Sequence, residues 1–346
     1  MKRKIILVIK YLCLSLALVY AITVFLPRKY EVPAIQERAE TQYWDLATGS
    51  RIAFFHIAAN GNRKPYPIIY LHGGPGGHVR DDLIRSLAPL SNDGYDIYFY
   101  DQVGSGMSSR LKDITEYTVD RHILDLNAIA TELGTEKVII LGQSWGAILG
   151  TMYAASFPGK VSRLVLSCPG PILPLRAELS QVPAPDSFHL RPPFYTNTQG
   201  NRMANNFRTK AMNFFAISFA WRLASDEEAD AFASFGAYAV NRSAVCDTAN
   251  IPAMDAGGGY YAGIRTYKSL MEVKDYRAKL KALDIPVLIL KGQCDNQPWG
   301  YTYEYTQVFK NHELKVIPSA GHFLWIEQPQ RSYLTIRQFL VDTEAR

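Results

Sequence analysis

The sequence predicts an α/β fold, a mostly parallel sheet with helices on both faces, and three observations point to it. Short apolar runs alternate with segments of helical apolar spacing along most of the 346 residues, the pattern of strands joined by crossover helices. One run, VIILG, ends in GQSWGA and passes directly into the helical spacing of AILGTMYAASF. Between residues 171 and 270 the alternation stops and only helical runs remain.

The chain opens with MKRK and the apolar run IILVIKYLCLSLALVYAITVFL, residues 5 to 26, in which Lys10 is the single charge. As a helix this run is long enough to cross a bilayer core of roughly 30 Å. The leading basic cluster orients its N-terminus inside. The rival reading is a cleavable signal peptide, with an apolar region from Tyr11 to Val19 and small-residue cleavage after Ala21. A buried core helix is the third. The uncleaved anchor is favoured, and either of the first two exports the body of the protein to a periplasmic or extracytoplasmic space.

The net charge of +5 divides unevenly, because Lys2, Arg3, Lys4, Lys10, Arg28 and Lys29 all precede the first acidic residue, Glu31, so that residues 30 to 346 net −1. A near-neutral body has no electrostatic footprint for nucleic acid. At 48% hydrophobic the chain can build a sizeable core, and no internal repeat or low-complexity tract interrupts it. Beyond Cys13 in the apolar run, Cys168, Cys246 and Cys294 have no metal-ligand spacing. Free buried thiols are the default for them. Cys168 and Cys294 both follow expected strands, so a bond between those two is the alternative, and export permits it.

After a tether near RKYEVPAIQERAE, the strands QYWDLAT and RIAFFHIAA are joined by Gly49–Ser50 as a hairpin. PIIYLHGGPGG and YDIYFYDQVGSGMS each read as a strand ending in a loop, and VDRHILDLNAIATEL as a helix stopped at Gly134. VSRLVLSCPG, IPVLILKGQCD and ELKVIPSAGH supply further strands. The runs MNFFAISFAWRLA and EADAFASFGAYAV fall in the interrupting segment. It reads as a helical lid over the edge where open α/β sheets bind ligands. The chain therefore divides into an anchor or signal segment (1–29), a sheet core (30–170 and 271–346) and the lid (171–270).

In GQSWG, Ser144 sits on a strand-to-helix turn between Gly142 and Gly146, whose missing Cβ atoms permit a sharp bend. Such a turn holds a hydroxyl out at the top of the sheet, a geometry that suits a nucleophile. The hydroxyl needs a base, and the base an acid to orient it. Of seven histidines, His322 in SAGHF follows the last strand at the same edge, whereas His312 precedes that strand, His122 lies in a helix, His189 in the lid and His56 within an early strand. Asp295 follows PVLILKGQ at the same edge, its alternative being an ordinary turn aspartate. The order Ser144, Asp295, His322 is the one expected of an α/β-hydrolase. The amide of Trp145, at the helix start, is one oxyanion donor. A second is expected from the loop His72-Gly73-Gly74-Pro75-Gly76.

Together HGGPG at 72–76, DQVGSGMS at 101–108, GQSWGA at 142–147, the Asp295 loop and AGH at 320–322 resemble the prolyl iminopeptidases of the α/β-hydrolase superfamily, over most of residues 45 to 170 and 280 to 340. The resemblance implies an α/β-hydrolase fold and a serine exopeptidase that removes an N-terminal residue, often proline, from small peptides without metal or cofactor. It also implies that Gly74 and Trp145 supply the oxyanion amides. Family aminopeptidases hold the substrate ammonium with lid glutamates, often near a Trp-x-x-Trp-Glu segment. Here the comparable stretch is FAWRLASDEEADAF, whose substrate-binding candidates are Trp221, Glu227 and Glu228, with Asp226 beside them. The rival role for Glu228 is a capping box with Ser225. A lid rich in Phe and Tyr suits an apolar pocket.

An aminopeptidase of this type is the first functional reading. An esterase, lactonase or amidase acting on a small acyl substrate is the second, since the same three residues serve any acyl transfer. A non-catalytic binding module is the third, and a complete nucleophile–acid–base set argues against it. An epoxide hydrolase or dehalogenase is disfavoured by serine, rather than aspartate, on the turn.

Overall fold

The computed structural model describes residues 2–344. Helix α1 (Lys2–Phe25) stands out from the body with none of its apolar window buried. Its 23-residue apolar stretch, Arg3–Phe25, spans about 34 Å at 1.5 Å per residue. Only its C-terminal end meets the rest of the chain, where Val24 is buried.

An eight-stranded sheet runs in the order β1-β2-β4-β3-β5-β6-β7-β8. The hairpin β1 (Gln42–Asp45) and β2 (Arg51–Ile57) pairs antiparallel, and β2 pairs antiparallel with β4 (Ile97–Tyr100). From there β3 (Ile68–Leu71), β5 (Val138–Gln143), β6 (Val161–Ser167), β7 (Val287–Gly292) and β8 (His312–Ile317) continue in parallel. Every residue of β3, β5 and β7 is buried, as expected of strands covered on both faces. On one face lie α3 (Val119–Glu132), α4 (Trp145–Ser156), α9 (Arg277–Ala282) and α10 (Trp299–Val308), sharing a core with the sheet through Leu126, Leu149, Leu280 and Tyr305. The other face is covered by α2 (Asp81–Leu87), α11 (Leu324–Glu327) and α12 (Pro329–Asp342) through Leu83, Trp325 and Phe339.

Between β6 and β7 the chain leaves the sheet to form α5 (Asn197–Ala204), α6 (Phe207–Phe219), α7 (Asp226–Asn241) and α8 (Tyr260–Leu270). Here α5 packs on α7, and α8 on both α6 and α7. Buried Arg208 of α6 and Glu228 of α7 pair at 2.6 Å. That pair also receives the end of α1: Arg208 donates to the Val24 carbonyl at 2.7 Å, and Glu228 accepts from the Arg28 amide at 2.8 Å.

The free buried thiol expected by default is found at Cys168 but not at Cys246 and Cys294, and the alternative Cys168–Cys294 bond is not formed. Cys246, just past α7, is joined to Cys294 beside the Asp295 loop as a disulfide with Cα atoms 5.1 Å apart, while Cys168 is a free buried thiol. The lid folds back over the strand ends, so Cys246, remote in sequence, is the neighbour that Cys294 meets.

Candidate active site

Ser144 takes φ +54° and ψ −114°, a region that side chains other than glycine rarely occupy and that marks stored local strain. Its backbone is fixed on both sides. The Ser144 amide donates to the Ser167 carbonyl of β6, and the Ser144 carbonyl accepts from the Ala147 amide of α4. Close packing explains the flanking glycines: a Cβ on Gly142 would come within 2.3 Å of the Gly146 carbonyl oxygen, and one on Gly146 within 2.0 Å of that of Leu71.

Asp295 and His322 come from the loops after β7 and β8. His322 Nδ1 lies 2.7 Å from Asp295 Oδ1, and the Asp295 side chain is fully buried. The second carboxylate oxygen accepts from Lys291 Nζ at 2.9 Å, and Lys291 also donates to the Gln297 carbonyl at 3.0 Å. Burial alone pushes the Asp295 carboxyl up, but Lys291 and His322 outweigh it and hold the group well below the usual carboxylate range. Asp295 is thus an anion that engages Nδ1, leaving Nε2 as the free face of the imidazole. Ser144 and His322 line one cavity. No hydrogen bond joins them among the described residues, and nucleophile–base contacts of this kind often close only with substrate in place.

Behind this pair, the Cys168 thiol and the donor atoms of Asp295 and His322 lie within 4.8 Å of one another. Those are metal-ligating residue types, yet the Asp295 oxygens are already engaged by His322 and Lys291. Burial also pushes the Cys168 thiol well up, so it stays protonated.

The Gly74 loop and Trp145 are joined by a buried network. Trp145 Nε1 donates to Gln102 Oε1 at 2.7 Å, and Gln102 Nε2 donates to the His72 carbonyl at 3.1 Å. The Gln102 amide donates to His72 Nε2 at 2.9 Å, so the His72 proton sits on Nδ1, 2.8 Å from the Gly73 carbonyl. Burial lowers His72 to about 4, which keeps it neutral. Asp101 fixes the neighbouring loops by accepting from the Val79 and Met107 amides. Gly74 has φ +130°, and a Cβ there would sit 2.5 Å from the Gly77 amide nitrogen. The backbone at Gly74 is therefore free of side-chain cover and lines the same cavity as Ser144.

That cavity has a volume of about 410 Å³. Its lid wall carries Phe232 beside the carboxamides of Asn201, Asn205 and Asn241. Gln143 and Trp325 also line it, and their buried Gln143 Nε2 and Trp325 Nε1 have no protein partner among the described residues.

The lid candidates named from the sequence are not brought here. Glu228 is neutralised by Arg208 and turned toward the end of α1. Glu227 is exposed on the first turn of α7, and Trp221 is 52% exposed against Phe215. None of the three lines the cavity. Ser225 caps α7 by accepting from the Glu228 amide at 3.2 Å, but the Glu228 side chain is spent on Arg208, so only half of the capping box forms. The lid carboxylate that does line the cavity is Asp255, which contacts Arg80 and lies 3.2 Å from His78 Nε2. Sequence reading missed Asp255 because its loop, IPAMDAGGG, has no periodicity to orient it. Lys291 was missed because it ends an otherwise apolar strand.

Comparison with known proteins agrees with this architecture. Residues 66–329 match the family model described as the alpha/beta hydrolase fold. The chain is 27% identical over 309 residues to a proline iminopeptidase of Heyndrickxia coagulans, covering 85% of this chain and 96% of that protein. Among solved structures, the proline iminopeptidase of Mycobacterium smegmatis aligns over 88% of this chain and 99% of its own with a TM-score of 0.58 at 20% identity. An esterase from Exiguobacterium antarcticum aligns over 86% of this chain and 98% of its own, with a TM-score of 0.58 at 18% identity. Likeness at that level speaks for the fold alone. With the family model covering most of its length, the chain belongs to the α/β-hydrolase family.

Proposed function

We propose that the protein is a serine hydrolase that works through an acyl-enzyme, with Ser144 as nucleophile, His322 as base and Asp295 as the acid that orients it. The observation that carries this reading is the 2.7 Å contact of His322 Nδ1 with buried Asp295, behind a cavity that Ser144 also lines. His322 takes the Ser144 proton as the hydroxyl oxygen attacks the scissile carbonyl, and Asp295 stabilises the imidazolium. The amides of Gly74 and Trp145 receive the oxyanion. His322 then protonates the leaving group and activates the water that releases the acyl chain.

Within that chemistry the favoured activity is an aminopeptidase of the proline iminopeptidase type, acting on small peptides. The names of the similar proteins support it, and so does a lid carboxylate, Asp255, on the cavity wall. A second reading, an esterase or amidase of small acyl substrates, is favoured by the charges: Asp255 already faces Arg80 and His78, and the neighbouring wall is carboxamide rather than carboxylate. We also read α1 as an uncleaved membrane span with the hydrolase body outside the cytoplasm, supported by its length and the exposure of its apolar window.

The test is a side-by-side rate for a proline arylamide, its N-acetylated form and a short-chain aryl ester. Preference for the free amine supports the peptidase; faster cleavage of the ester, with indifference to acetylation, supports the second reading. Ser144→Ala should lower kcat by about 10⁴- to 10⁶-fold and abolish labelling by a fluorophosphonate. Undiminished turnover in that variant overturns both.

A further inference from the structure

We propose that α6 is a membrane-seating surface, laid at the bilayer interface beside α1 so that the lid rests on the lipid. This goes beyond the hydrolase assignment and rests on the reading of α1 as a membrane span.

Depth is set by the contacts between the two helices. Tyr20 of α1 packs against Phe207 of α6 with ring centroids 6.2 Å apart, and Arg208 donates to the Val24 carbonyl one turn further out. Tyr20 and Val24 belong to the last two turns of a helix whose apolar stretch ends at Phe25. In a spanning helix those turns lie where hydrocarbon gives way to headgroups, the level at which tyrosine and tryptophan collect. Exposed Arg28 and Lys29 follow immediately, at the height of the phosphates. The start of α6 is therefore held at interfacial depth, and the buried Arg208–Glu228 pair ties the end of α1 to two lid helices.

From that junction α6 presents an uncovered apolar face. Phe207 and Phe219 are each 64% exposed, Phe214 55% and Trp221, just past the helix, 52%. Phe207, Phe214 and Ile217 recur at helical spacing, while the opposite face buries Met212 and Ala216 in the lid. Beyond Phe214 the rings of Phe215, Phe219 and Trp221 meet at centroid distances of 4.8 to 6.1 Å, forming one contiguous patch. A soluble surface rarely leaves so many large aromatic side chains together in water. Exposed Lys210 stands among Phe207, Phe214 and Ile217 on that face, where its long stem lets the ammonium reach up to the phosphates. Because the patch lies on the same short helix whose first residues are joined to the span at headgroup depth, the occupant is the bilayer.

The test uses the full chain in phosphatidylcholine vesicles with lipids brominated near the glycerol end of the acyl chains. Of the five tryptophans, Trp145 and Trp325 are buried and Trp44 and Trp299 half-buried, so Trp221 is the most exposed indole. We expect lipid-dependent quenching that disappears in Trp221→Phe. It should shrink in Phe214→Ser/Phe219→Ser, whose chain still pellets with carbonate-washed vesicles. A vesicle-held chain whose Trp221 is untouched by bromolipid overturns the inference and leaves the span standing, whether aqueous acrylamide reaches that indole or another protein covers it. Release of the wild-type chain by carbonate overturns the span and this inference together.

Discussion

Lys291 Nζ lies 2.9 Å from Asp295 Oδ2, with both side chains sealed from solvent. The carboxylate that orients His322 is thereby shared between two cations whenever the imidazole is protonated. Lys291 keeps Asp295 ionised. In Lys291→Met the buried carboxyl loses that cation, and an Asp295 that carries less charge stabilises the imidazolium less in the transition state. We expect kcat to fall by about 10-fold with KM little changed. An unchanged kcat would mean that Lys291 only props the loop. Stability follows the same pair. The folded Asp295 value lies below its unfolded one, so its contribution is complete above about pH 4 and is lost as pH falls further. Removing Lys291 leaves a buried carboxylate with one partner fewer and should cost about 3–5 kcal/mol in denaturant titrations at pH 7.

Gln102 joins both expected oxyanion donors, through Trp145 Nε1 and the His72 carbonyl. Gln102→Leu should misplace these amides without touching substrate. We expect kcat to fall by about 10- to 100-fold with KM little changed, a smaller loss than deleting a donor outright. Equal effects on an ester and an arylamide would identify the shared oxyanion step.

His72 sets a second pH dependence. Its folded value near 4 lies below the ordinary 6.5 because burial disfavours the charged ring. The sign is that of a group kept neutral by folding: its contribution is full above about pH 6.5 and is lost as pH falls toward 4. The difference amounts to about 3 kcal/mol. Denaturant midpoints measured from pH 7 to pH 4.5 should decline, with a shallower slope in His72→Gln. His122, pushed down to about 3 by burial, adds to the decline in both proteins.

The Cys246–Cys294 bond closes a loop with a sequence separation of 48 residues, for which chain entropy gives about 4 kcal/mol. Cys246→Ser should lower Tm under non-reducing conditions, and dithiothreitol should bring the wild type down to the same value. Because Cys294 adjoins Asp295, kcat should fall with Tm.

Much of this was legible because it is local. The hairpin at Gly49–Ser50, the stop of α3 at Gly134 and the Gly142/Gly146 pair around Ser144 are written in adjacent residues, and sheet topology then brings Asp295 and His322 to one edge. What escaped depends on contacts between distant segments. Arg208 and Glu228 are 20 residues apart, and nothing in either helix announces that the pair also receives the end of α1. Glu228 therefore read as a cap or an ammonium ligand, whereas its side chain is engaged by Arg208. The partner of Cys294 could not be found from strand order, since Cys246 belongs to a lid whose fold has no period-two pattern. Lys291 was hidden by its strand: one charge at the end of VLILK looks like a surface residue until its neighbours are known.

The link from the lid to the residue beside Asp295 has a bearing on when the enzyme becomes competent. Cytosolic thiol buffers keep such cysteines reduced, so on the reading of α1 as an export segment the newly made chain carries an untied acid loop. Oxidation after translocation would then serve as the final assembly event. Hydrolysis would begin on the far side of the membrane, and peptides or esters of the producing cytoplasm would be spared.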